Sequence, residues 1–152
     1  MLTIREDDLS TPATQALVAL HLAGMHANSP PGHVFALGES GLRAAGVTVW
    51  SAWIDGRIAG LCALKALDAA TGELKSMRTH PDFLRRGVAR ALLEHVIGEA
   101  RRRGYRRLSL ETGSGPGFDA ALALYRRRGF EDGGAFGDYV KSDFNQFLHL
   151  AL

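Results

Sequence analysis

Residues 71–112 most constrain what this chain can become, because they read as strand, helix and strand in close succession. TGELKSMRTHP is a strand ended by Pro81. RRGVARALLEHVIGEARRRG then sets Val88, Leu92, Val96 and Ala100 on one helical face at a spacing of four, and Gly104 stops the helix. YRRLSLET returns as a strand. A strand that leaves through a helix and comes back rejoins its sheet by a crossover, so the expected core is a sheet with helices on its faces.

The remaining segments extend that frame. ATQALVALHLAGMHA follows Pro12 with apolar residues at helical spacing and predicts a helix over 12–27. NSPPGH breaks it, and a short helix is expected around 36–44. VTVWSAWI and RIAGLCALKAL flank Asp55-Gly56, the dipeptide suited to a two-residue hairpin turn. FDAALALYRRRG predicts a helix closed by Gly129, and NQFLHLAL a last strand. The order is therefore α, α, β, β, β, α, β, α, β, with no internal repeat or linker, and residues 1–152 suit a single domain. The expected class is α/β (α+β): a mixed, mostly antiparallel twisted sheet with helices on both faces. Ligands in such sheets sit where strand order and direction break, which falls here beside THPDFLRRGVA.

Composition narrows the classes further. With 46% hydrophobic and 22% charged residues, the chain reads as soluble and globular rather than disordered or fibrous. MLTIREDDLS is acidic and carries no long apolar run, and no stretch is apolar enough for a membrane span, so a cytoplasmic protein without a membrane partner is expected. A lone cysteine, Cys62, rules out an internal disulfide and a multi-cysteine zinc site, and its apolar setting reads as a buried strand thiol. His21, His26 and His33 fit no metal-ligand motif, so no metal is expected. Thirteen of the 18 Lys and Arg residues lie within residues 75–128, against five acidic residues there. A basic block between acidic flanks points to a polyanion, either nucleic acid or a phosphorylated cofactor.

LRRGVAR shows where such an anion would sit. A helix N-terminus already carries partial positive charge, so Arg85 and Arg86 are unfavourable there unless something negative is bound. Gly87 removes a Cβ where backbone must approach a ligand, Ala89 keeps the next inward position small, and the N–H groups of residues 85–90 point toward a phosphate. The alternative is a solvated helix end. Other phosphate loops fail: no lysine follows a glycine, as a Walker loop requires, and GSGPG places Phe118 at the third glycine position of a dinucleotide fingerprint.

From Glu73 to Phe130, GELKSMRTHP, LRRGVA, RRLSLET and ALALYRRRGF together resemble the core of the GNAT N-acyltransferase superfamily. WSAWIDGRIAG, LKSMRT and SLETGS are similar to a small bacterial subgroup described as YsnE-like. The resemblance implies a splayed strand pair that binds acyl-CoA, with acetyl-CoA as co-substrate and an N-acetyltransferase activity by direct transfer. It assigns the pyrophosphate to the main chain of Arg85, Arg86, Gly87, Val88, Ala89 and Arg90, and the pantetheine arm to the strand near Met77, Arg78 and Thr79. Leu84 stands where the family carries Arg or Gln, and Phe118 where it carries Asn. The implied partner is an amine of a small molecule or protein, and a homodimer is compatible with the resemblance.

Acyl transfer to an amine needs a base for the amine and a proton for the departing thiolate. Tyr125 matches the family tyrosine that supplies the proton, and is otherwise a core aromatic. Glu73 matches a general-base glutamate of some members; Glu111, His80 or a water chain are the alternatives. Glu111 alternates with Leu108 and Leu110 and could face the cleft. His33, Asp138 and Tyr139 lie in the loops expected to grip the acceptor, and Arg78 could meet an acceptor carboxylate. Two rival readings remain: a catalytically weak acyl-CoA-binding regulator, and a nucleic-acid module, which would need aromatic residues interleaved with its arginines.

Overall fold

The computed structural model describes residues 1–152. Strands β1 (Leu2–Glu6), β2 (Val47–Ile54), β3 (Arg57–Ala66), β4 (Thr71–Thr79), β5 (Arg107–Thr112), β6 (Glu131–Asp132) and β7 (Gln146–Ala151) make one sheet in the order β1-β2-β3-β4-β5-β7-β6. Helices α1 (Pro12–Asn28), α2 (Glu39–Leu42), α3 (Val88–Arg102) and α4 (Asp119–Arg128) cover it. All pairings are antiparallel except β4 with β5, which α3 joins as the expected crossover. The sheet is the mixed, mostly antiparallel one implied by the sequence.

Two strands correct the expected element order. β1 is a five-residue edge strand in which Leu2 and Ile4 pack against the core while Arg5 and Glu6 are exposed. That alternation is too short to stand out from a charged N-terminus, and the strand exists because β2 offers it a complete partner. β6 is two exposed residues, Glu131 and Asp132, fixed by pairing with β7. Elsewhere local chemistry acts as expected. Asp55 and Gly56 both take positive φ, +50° and +77°, the type I′ geometry that suits the twist of the β2–β3 hairpin. Thr11 caps α1 by accepting from Thr14 N at 3.3 Å.

Apolar residues fill both faces of the sheet. On one, Leu92, Leu93, Val96 and Ile97 of α3 pack on Cys62, Leu64, Leu108 and Leu110. On the other, Leu17 and Val18 of α1 and Leu42 of α2 cover Val49, Leu61 and Ala63. Cys62 is fully buried and its thiol pKa is pushed well above the ordinary value, so it is core and not a nucleophile.

Two irregularities in β4 open the site. Ala63 pairs with Lys75 but Leu61 with Arg78, so Ser76 and Met77 together stand opposite Cys62. This is a bulge, and Ser76 absorbs it at φ +57°. The extra residue reverses the side-chain alternation beyond it: Met77 packs into the α3-side core, whereas Arg78 joins Glu73 and Lys75 on the face toward α1. In addition, β4 pairs with β5 only at Thr71–Arg107, Gly72–Leu108 and Glu73–Ser109. Beyond Glu73 the strands part and leave a wedge with main-chain groups of β4 free along its edge.

Candidate active site

A cavity of about 720 Å³ occupies this wedge, within the size range of small-molecule sites. It runs from the start of α3, past the free edge of β4, to the loop after α1. One end presents unpaired main-chain amides. Arg85 takes φ +62° and Gly87 φ +77°, and these alternating left-handed residues turn successive amides outward. A side chain at Gly87 would meet nothing within 4 Å, so the glycine serves the backbone conformation rather than relieving a clash. The first amide past the loop to find a main-chain acceptor is Ala91 N, bonded to Gly87 O at 3.0 Å. Arg85, Gly87, Ala89 and Arg90 line the cavity. Arg86 instead places its guanidinium over the Phe83 ring, 5.4 Å from the centroid, and Val88 is buried in the core.

Along the middle of the cavity lie Ser76, Met77 and Thr79 of β4 and Tyr125 of α4. The Ser76 hydroxyl is buried with no partner in the chain, a polar atom that a ligand amide would satisfy. Orphan amides at one end, an unpaired strand edge and this hydroxyl together fit an extended molecule with a phosphate end and a polar amide arm. Tyr125 is 6% exposed, and burial raises its pKa above the ordinary phenol value, so it stays protonated. No hydrogen bond within the chain contributes to that shift.

The far end carries two carboxylates in different settings. Glu73, 2% exposed, accepts from the Tyr139 hydroxyl at 2.5 Å and from Lys75 Nζ at 3.2 Å. Lys75 Nζ also donates to the Tyr139 oxygen at 2.8 Å, closing a ring of three polar groups. The Phe35 and Phe136 rings clamp Tyr139, with centroids 5.4 and 5.2 Å away. Burial and then the Glu73 charge push the Tyr139 pKa far up. Glu111 faces the same cavity with no hydrogen bond to stabilise its charge; burial raises its pKa from 4.5 to about 7, opposed by Lys75 and assisted by Glu73.

Other expected residues lie off the cavity wall. His33 stacks edge-on to Phe144 at 5.8 Å, with its Nδ1 3.5 Å from Ser142 Oγ, so it ties two loops together. Asp138 is exposed. His80 Nδ1 accepts from Asp82 N at 3.1 Å, capping a short 3-10 turn. Sequence reasoning passed over several residues that do line the cavity: His21, Phe35, Lys75, Ser76 and, at its rim, Arg127. Only Lys75 had a readable signal, since it lies two residues beyond Glu73 and shares its face.

Residues 14–130 match the model of the acetyltransferase (GNAT) family. An uncharacterized N-acetyltransferase of Escherichia coli, YedL, is 50% identical over 152 residues, covering 100% of this chain and 96% of that protein. YsnE of Bacillus subtilis, likewise an uncharacterized N-acetyltransferase, is 46% identical over 149 residues, covering 98% and 99%. A crystal structure of a GNAT family acetyltransferase from Elizabethkingia anophelis with acetyl-CoA bound superposes with a TM-score of 0.73 at 20% identity, covering 99% of this chain and 98% of that one. A family match through the wedge, the anion loop and α4, with bacterial relatives aligned end to end, leads to one conclusion: the chain belongs to the acetyltransferase (GNAT) family and is an acyltransferase.

Proposed function

We propose that the protein is an acetyl-CoA-dependent N-acetyltransferase that moves the acetyl group directly to an amine, with Glu111 as base and Tyr125 as acid. The observation that carries this is a single cavity lined at once by the anion loop, the free β4 edge, Tyr125 and Glu111. Main-chain amides of residues 85–90 would hold the pyrophosphate, and the edge near Met77 and Thr79 the pantetheine amides. Acetyl-CoA supplies the activated acetyl thioester. Glu111 then takes a proton from the amine whose nitrogen bonds to the carbonyl carbon, and the Tyr125 hydroxyl protonates the sulfur as the C–S bond breaks. A base with a pKa of about 7 is matched to this task at neutral pH. Glu73 is less suited, because Tyr139 and Lys75 already occupy its carboxylate. Its role in this scheme is positioning: it neutralises Lys75 and holds the Tyr139 hydroxyl.

The test is acetyl-CoA turnover with a panel of amines, followed as free thiol. Tyr125→Phe should leave acetyl-CoA affinity intact and lower kcat by roughly 10²- to 10⁴-fold, the scale of one positioned acid. Glu111→Gln should lower kcat/KM by a similar factor, with partial rescue at high pH. Full activity in Glu111→Gln together with loss in Glu73→Gln would return the base to Glu73. Binding of acetyl-CoA without transfer to any amine would favour a regulator.

A further inference from the structure

Arg78 is the cation of the cavity wall that burial strips of water without supplying a carboxylate in return. Lys75 has Glu73, and Arg85, Arg90 and Arg127 are exposed. Arg78 donates from Nε to His21 Nδ1 at 2.9 Å, so its nearest polar partner is uncharged. His21 is 6% exposed on α1, and burial, with the Arg78 charge, lowers its pKa from 6.5 to about 4, leaving it neutral at pH 7. One turn further along α1, Gly24 makes room for the guanidinium: a Cβ there would lie 2.9 Å from Nη2. Helix α1 thus holds Arg78 by one nitrogen and by packing. Desolvation alone lowers its pKa, with no anion acting against it. A half-buried guanidinium held this way is stabilised when a ligand carboxylate meets its remaining N–H groups.

The bulge at Ser76 puts this cation where an acceptor would find it. Without the extra residue Arg78 would point into the α3-side core; with it, Arg78 shares the α1 face with Lys75 and lines the same cavity as Glu111. Resting on the transferase reading, we propose that the acceptor is a small amine that also carries a carboxylate. Its carboxylate meets Arg78, and its amine meets Glu111. An uncharged amine would leave Arg78 without a counter-ion; an amino acid satisfies both ends of the wall.

The experiment compares L-leucine, L-phenylalanine, β-alanine and 4-aminobutyrate with their primary amides. Binding to the CoA-saturated protein is measured by calorimetry, and transfer by free-thiol release from acetyl-CoA. At least one acid should exceed its own amide by ~10- to 100-fold in affinity and in kcat/KM, the scale on which a site built for a charged group rejects an analogue lacking it. Arg78→Met, which keeps the main-chain groups that the pantetheine arm would pair with, should reduce that acid to the level of its amide, and Arg78→Lys should recover part of the preference. The inference is overturned if amides match acids, if no acid of the set binds, or if Arg78→Met weakens acetyl-CoA instead and spares the acid preference. Acid-selective binding without transfer would remove the transferase reading and keep the carboxylate site. Transfer without acid selectivity would do the reverse.

Discussion

Glu73 and Glu111 sit on neighbouring strands and face one cavity, yet their surroundings give them different chemistry. Tyr139 and Lys75 satisfy the charge on Glu73, whereas Glu111 is half-buried without a hydrogen bond, and loss of water raises its pKa to about 7. This difference is measurable apart from activity. Because the folded pKa of Glu111 lies above its ordinary 4.5, the folded state holds the extra proton between about pH 4.5 and 7, and stability falls as pH rises through that window. Glu111→Gln removes the cost of burying the charge, so it should raise Tm at pH 8 and gain nothing near pH 4. An equal effect at both pH values would mean that Glu111 is not desolvated. From sequence the two acids were hard to rank, because the partner that occupies Glu73 lies 66 residues away at Tyr139. The Arg78–His21 bond spans 57 residues and was equally invisible.

At the scale of elements, the site depends on where regular structure is interrupted. Helix α3, its glycine entrance and the Asp55-Gly56 hairpin followed from local periodicity and turn chemistry. The bulge did not: SMRT contains no glycine or proline to mark it, and Ser76 takes φ +57° because β3 and β4 are paired on both sides of the irregularity. The sequence pointed to the loop before α3 as a place for an anion and to Gly87 as room for its approach, whereas in the structure the glycine is needed for its φ of +77°. Gly87→Ala should therefore destabilise the fold by ~1–2 kcal/mol, the cost of a left-handed residue with a Cβ. Gly87→Glu should in addition abolish the acetyl-CoA-induced rise in Tm by setting a carboxylate at the phosphate site. Thermal melts with and without acetyl-CoA separate the two effects, and a retained ligand shift in Gly87→Glu would place the anion elsewhere.

For the molecule as a whole, one crossover organises the remainder. Helix α3 makes β4 and β5 parallel, their divergence after Glu73 opens the wedge, and apolar cores pack on both faces of the sheet. The strand-helix-strand run announced this architecture, whereas β1 and β6 escaped notice because neither is long enough to show a pattern without its partner. No helix is long and apolar enough to cross a membrane. The central claim is that the wedge carries out transfer rather than merely binding an acyl-CoA. It is tested most directly by amine-dependent release of free thiol from acetyl-CoA, recorded across pH for the wild type and Glu111→Gln. The account predicts release that requires the amine and, in the wild type, shows an inflection near pH 7 that the variant lacks, its weaker release rising with pH only as free amine accumulates. Acetyl-CoA binding with no amine-dependent thiol release at any pH would contradict it.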